Sequence, residues 1–221
     1  VAIHNRLGIA FLKRGSYGEA ESHFAESLRI EPENDKVHLY AGNILMQLGK
    51  PKEAIKHFTE ALRINPNNEL AHNDLAMALV QQGDLKNALK HYAIAIRLTP
   101  NSPELHNNMG IALFKSHDLM ESVKQYQKAI ALNPRYATAY NNLANVLVEQ
   151  RRFDEAIKNY NIALKMRLDY PEALNDEGVA FARQRKYQEA IGYFEKALDL
   201  NPDYRQARTN LKFDLRKISP S

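Results

Sequence analysis

The chain has no cysteine and no tryptophan among its 221 residues. Without thiols there is no disulfide framework and no thiolate metal site. That fits a cytoplasm and a bacterial periplasm equally, so the compartment stays open. No apolar stretch approaches the roughly 20 residues that a membrane-spanning helix needs, so this segment is not expected to insert directly into a membrane. No secretory leader pattern opens the chain. Glycine-rich phosphate loops, nucleophile elbows and zinc-protease helix motifs are all missing. No catalytic residue is therefore nominated, and neither enzyme activity nor a cofactor is expected. Glycine and proline are also scarce, at nine each, but their placing is informative.

Pro32, Pro66, Pro100, Pro134 and, after one skipped beat, Pro202 keep a 34-residue register. A fixed period of that length marks a stack of supersecondary units, each leaning on its neighbours. Counting from Val1, six repeats run over residues 1–34, 35–68, 69–102, 103–136, 137–170 and 171–204. A seventh, partial repeat reads as a capping helix over 205–217, followed by a tail at 218–221. Position 24 is aromatic throughout: Phe24, Phe58, Tyr92, Tyr126, Tyr160 and Phe194. Position 20 is small, as Ala20, Ala54, Ala88, Ser122, Ala156 and Ala190, and position 8 is Gly or Ala. Small residues let two helices approach, and the aromatic fills the space beside the contact. Apolar residues recur at three and four, as in Leu143, Val146 and Leu147, so each repeat reads as two helices. Gly15 and Gly49 mark the turn inside a repeat, and Asn-Pro ends the second helix. The fifth repeat has Leu168 in place of proline, which predicts a second helix there running on through Arg167.

Leu7-Gly8, Phe11, Ala20, Phe24 and Pro32 in the first repeat, and Leu143-Ala144, Ala156, Tyr160 and Ala163 in the fifth, carry a recognisable signature. The pattern resembles the tetratricopeptide repeat (TPR) over residues 1 to about 215. It departs from that pattern at position 4, where His4, His38, His72, His106, Tyr140 and Leu174 replace tryptophan. The resemblance implies an all-α fold, a right-handed TPR superhelix (α-solenoid) of six helix hairpins plus a C-terminal capping helix. It also implies a non-catalytic protein–protein interaction scaffold that binds an extended peptide or partner helix in a concave groove. Tyr170-Pro171-Glu172-Ala173 through Gln184 also resembles the C-terminal arrays of bacterial membrane glycosyltransferase-like proteins. On that alternative the chain is the soluble, possibly periplasmic appendage of a larger protein. Starting at Val1 on position one of a repeat, it reads as a domain excised from something longer.

Asparagine is the main functional signal. In the TPR family, positions 2, 5, 6, 9, 12 and 13 of each first helix face the groove. Asn73, Asn107 and Asn141 stand at position 5, Asn108 and Asn142 at position 6, and Asn145 at position 9. Mid-helix asparagine costs up to about 0.7 kcal/mol against alanine, and a carboxamide matches a peptide backbone in both donor and acceptor. The set resembles the asparagine ladder of O-linked N-acetylglucosamine transferase repeat domains, interrupted here by Arg6, Tyr40, Asp74 and Asp176. These asparagines are expected to contact peptide main chain. Asp74, Glu104 and Arg183 would select side chains, and Met77, Ile111 and Phe114 would form an apolar floor. The carboxylate clamp of chaperone-binding relatives is ruled out, because Leu39, Asn141, Glu104 and Gln206 stand where its lysines belong.

Histidine invites a metal reading, with His4, His38, His72 and His106 at position 4 and His23, His57 and His91 at position 23. Within either column neighbours lie one repeat apart, about 10 Å, too far to share an ion bound at about 2 Å. Imidazole is therefore expected to replace an aromatic filler, and no metal site is expected. The net charge of +4 resides in residues 205–221, where Arg205, Arg208, Lys212, Arg216 and Lys217 face Asp214 alone. A basic tail is not the continuous stripe that nucleic acid requires, so the expected partner is protein or peptide. On the last helix Ala207, Leu211 and Leu215 are expected to pack inward. The first helix is expected to leave Ile3 and Ala10 uncovered, an N-terminal edge suited to self-association.

Overall fold

The computed structural model describes residues 1–218; residues 219–221, the end of the expected tail, lie outside the described residues. The regular elements among the described residues are thirteen α-helices. They fall into two compact units, divided between Ser116 and His117. The first holds α1 (Ala2–Lys13), α2 (Tyr17–Ile30), α3 (Asp35–Gln47), α4 (Pro51–Ile64), α5 (Glu69–Gln82), α6 (Leu85–Leu98) and α7 (Pro103–Lys115). The second holds α8 (Leu119–Leu132), α9 (Ala137–Glu149), α10 (Phe153–Met166), α11 (Pro171–Arg183), α12 (Tyr187–Leu200) and α13 (Arg205–Ile218). Within each unit every helix packs on the next in sequence. The helices α1, α3, α5 and α7 are the first helices of successive repeats, as are α9, α11 and α13.

The small-residue columns explain the packing. Ala20, Ala54, Ala88, Ala156 and Ala190 are all fully buried. A Cβ on Gly42 would lie 2.4 Å from Phe58 Cε1, and one on Gly178 would lie 2.6 Å from Phe194 Cε1, so glycine is required where the ring presses on the first helix.

Helix ends follow a fixed geometry. Position 15 of all six repeats is left-handed: Gly15, Gly49 and Gly83 at φ 71 to 81°, then His117, Arg151 and Arg185 at φ 61 to 63°. In the first unit Asn34, Asn68, Asp84 and Ser102 accept a backbone N–H at helix starts, as Asp118 does in the second. The side chains of Tyr136, Arg152, Tyr170 and Lys186 make no such bond.

Two expectations are corrected. The helix α10 does not run on through Arg167. It ends at Met166 after 14 residues, and Arg167 adopts the extended conformation (φ −133°, ψ 97°) that Asn201 also has. Packing replaces the missing proline: Tyr170 is buried against Ala163 and Ala173, with the Arg167 guanidinium 4.5 Å from its ring centre. On α13 the inward stripe is Ala207, half-buried Leu211 and Asp214, whereas Leu215 is 42% exposed. Ala207 and Asp214 lie seven residues apart, two helical turns, so they share a face that Leu215 has already left. Ile3 and Ala10 stand exposed on α1.

Candidate functional site

The first-helix face of residues 1–116 carries two neighbouring cavities. One, about 370 Å³, is lined by Leu12, Tyr17, Asn43, Met46, Gln47, Asp74 and Met77. The other, about 170 Å³, is lined by Met77, Val80, Gln81, Tyr92, Asn108 and Ile111. Met77 borders both and is 42% exposed, an uncommon placing for a large apolar residue and one that suits contact with another molecule. Ile111 and Phe114 are half-buried, and Glu104 is exposed and accepts a hydrogen bond from Ser102 Oγ.

The asparagines on this face are knitted together. Asn108 Nδ2 donates to Asn73 Oδ1 at 3.1 Å, and Asn73 Nδ2 donates to Asp74 Oδ1 at 2.9 Å. Asn107 is buried and donates to Asn108 Oδ1 at 3.5 Å. Asn43 also hydrogen-bonds Asp74, whose carboxyl burial raises above the usual aspartate range.

The unit from His117 on repeats this arrangement three repeats later and closes it. Asp176 accepts from Asn141 (3.2 Å), Asn145 (2.9 Å) and Asn175 (3.3 Å). Asn145 Oδ1 accepts the Tyr160 hydroxyl, and Asn210 donates to Asn175 at 2.9 Å. The amides of Asn141 and Asn145, expected to meet a ligand, thus brace α9 against α11. Asn142 is half-buried on the same helix. Arg183 pairs with Glu149 at 2.7 Å.

Sequence reasoning compared histidines within columns, whereas the fold pairs them across columns. Positions 4 and 23 are 19 residues apart, and antiparallel helices bring them together. His4 meets His23, His38 meets His57 and His72 meets His91, with Nδ1 atoms 3.1, 3.0 and 2.9 Å apart. His38 Nε2 lies 3.0 Å from the Pro32 carbonyl, and His72 Nε2 lies 3.0 Å from that of Pro66. Only an N–H satisfies a carbonyl, so both rings carry hydrogen on Nε2. In a pair of neutral rings His57 and His91 then donate from Nδ1. Burial, then the facing histidine, lowers the pKa of each. The available signal was that both positions are histidine in the same three repeats. Among the described residues, no three metal-ligating side chains gather closely enough to hold an ion, and no helix is long and apolar enough to cross a membrane.

A second missed feature is Glu177, at a repeat position that is Leu7, Leu75 and Leu143 elsewhere. It is fully buried, accepts from Asn161 Nδ2 at 3.2 Å, and bonds the Tyr193 side chain. Its Oε2 has no partner, and burial pushes the carboxyl up to about 7.

Comparison with known proteins sets this geometry in context. The family model described as the cilia and flagella-associated protein 70 C-terminal domain, a TPR domain, matches residues 10–217. No curated protein matches the chain by sequence. Among solved structures, the APC/C hetero-tetramer Cut9–Hcn1 superposes with a TM-score of 0.80 at 22% identity. That match covers 95% of this chain but only 42% of the matched one. Pseudomonas aeruginosa PilF gives 0.77 at 18% identity, covering 94% and 95%. YrrB, described as a TPR protein with an unusual peptide-binding site, gives 0.62 at 20% identity, covering 86% and 97%. At these identities the structures establish a shared fold.

Proposed function

The chain belongs to the TPR family of the cilia and flagella-associated protein 70 C-terminal domain, and on that premise we propose that it docks a partner on the first-helix face of residues 1–116. The class is a protein-interaction scaffold. The finer reading is that an extended peptide or helix lies across α3, α5 and α7. Side chains of the partner would enter the cavities on either side of Met77, an apolar one in the smaller, and main chain would meet Asn73 and Asn108. Glu104, Ile111 and Phe114 would bound the site. On the unit from His117 on, taken by itself, Asn142 and Arg183 are proposed as partner contacts. The observation that carries the reading is Met77, exposed at the shared rim of two cavities. YrrB, a neighbour in fold, is itself a peptide binder.

Panning a displayed peptide library on the chain tests this. Met77→Glu, which places a charge between the cavities, should abolish retention of the selected peptides and leave the helical circular dichroism intact. Selected peptides that bind the variant unchanged would place the docking surface elsewhere.

A further inference from the structure

The two asparagine–aspartate nodes differ at one residue. Asp176 has three amide donors because Asn141 stands at position 5 of the preceding first helix. Asp74 has two, from Asn43 and Asn73, because the equivalent position is Leu39, a buried side chain with nothing to donate. An ionised carboxylate offers about four acceptor sites, so Asp74 retains capacity. It also lines the cavity of about 370 Å³, where it is the one charged residue among Leu12, Tyr17, Asn43, Met46, Gln47 and Met77. No ion pair to Asp74 occurs among the described residues, and the nearest further charge on its helix, Glu69, is also acidic. The cavity of about 230 Å³ among α11, α12 and α13 differs, because Arg183 lines it together with Asp214.

We propose that the cavity beside Asp74 is a subsite for a basic side chain, the lysine or arginine of a docked peptide. The chemistry is complementary at both ends. Leu12, Met46 and Met77 offer apolar, deformable walls for an alkyl stem, with the Tyr17 ring beside them. The carboxylate at the cavity wall receives the cationic head, and a half-buried charge gains more from such a partner than an exposed one. This inference rests on docking at the same face and adds which residue the face selects.

The test reads the methionine methyls by NMR in the intact chain labelled with ¹³C-methyl methionine. The probes are N-acetyl-lysine methylamide, N-acetyl-arginine methylamide and N-acetyl-norleucine methylamide, each at low salt. The Met46 and Met77 signals should move with the lysine and arginine probes, while those of Met120 and Met166 stay fixed. Norleucine, with the stem but no charge, should bind at least about tenfold more weakly, the value of one charge-assisted contact. Asp74→Asn should remove the preference. Leu39→Asn, which supplies the third donor found in the other unit, should weaken binding while keeping the Asp74 charge, read on protein whose helical circular dichroism matches the parent chain. Equal shifts with norleucine, no shift with any probe, or full binding by both variants would overturn the subsite. If the amine probes fail while Met77→Glu still abolishes peptide retention, docking stands and only the basic selectivity falls.

Discussion

The two units share one hairpin design and differ in which ionisable groups they fold around. Residues 1–116 hold seven of the eight histidines, six of them in three pairs at hydrogen-bond distance. The unit from His117 on holds one histidine and instead buries the carboxyl groups of Glu177 and Asp214. Burial lowers the pKa of His57 and His91 and raises those of Glu177, Asp176 and Asp214. Desolvation disfavours the charged form in each case. The charged form of histidine appears in acid and that of a carboxyl in base. One physical cause therefore gives the paired histidines and the buried carboxyls opposite responses to pH, and in the first unit Asp74 follows the carboxyls.

The largest expected effect follows from Glu177. An unfolded glutamate ionises near 4.3, whereas the folded one holds its proton to about 7. As pH rises between those values the unfolded chain releases a proton that the folded chain keeps. Stability is then lost at about 1.4 kcal/mol per unit, about 4 kcal/mol in all, and the loss is complete above pH 7. For His57 and His91 the sign reverses. The unfolded ring gains its proton first, so their contribution is full above about pH 6.5 and falls as pH drops below it. Hydrogen exchange at pH 5.5 and pH 8, corrected for intrinsic rates, should show α10–α12 better protected in acid and α4 and α6 better protected in base. Glu177→Gln should flatten the first trend and leave the second. Parallel trends in both units would break the comparison.

The next effect separates the two aspartate nodes. Asp176→Ala leaves Asn141, Asn145 and Asn175 without their acceptor, and Asn141 and Asn175 are at most 4% exposed. Stranding buried donors costs about 2 kcal/mol. Asp74→Ala leaves two amides, with Asn43 lining an open cavity that admits water, and should cost less than about 1 kcal/mol. Denaturant midpoints of the two variants measure the difference, and equal losses would mean that Asp74 is as much a brace as Asp176.

Much of the architecture was legible because each packing rule recurs. The 34-residue period fixed the helix pairs, and the small and aromatic columns named their contacts. The side-chain networks were less legible, because they depend on pairs that a single column does not show. His38 and His57 lie on different helices, as do Asn141 and Asp176, and only the hairpin or the next repeat brings them together. The helix cost of the asparagines points to an outside partner, yet Asn108, Asn141 and Asn145 also find partners inside the protein. The burial of Glu177 and Asp214 is not legible, because a carboxylate at an apolar repeat position reads as surface until the packing is seen. Leu168 misled in the other direction, since the packing of Tyr170 ends the helix where proline usually does.

The smallest effect concerns the turn at position 15. All six residues there are left-handed, but the first three are glycine and the last three are His117, Arg151 and Arg185. A side chain in that conformation costs roughly 1–2 kcal/mol through the clash of Cβ with the following carbonyl oxygen. Glycine removes the clash and gives back part of the gain, because its unfolded chain has more freedom to lose. Arg151→Gly and Arg185→Gly should each therefore stabilise the second unit by about 0.5–1 kcal/mol. Gly49→Ala, at φ 71° with open space around its Cβ position, should destabilise the first unit by a similar amount through backbone strain alone. Urea unfolding followed by exchange within each unit would resolve these increments. A neutral Arg151→Gly would show that Arg151 makes a compensating contact in the turn, and that the two units end their first helices at equal cost despite the different residues.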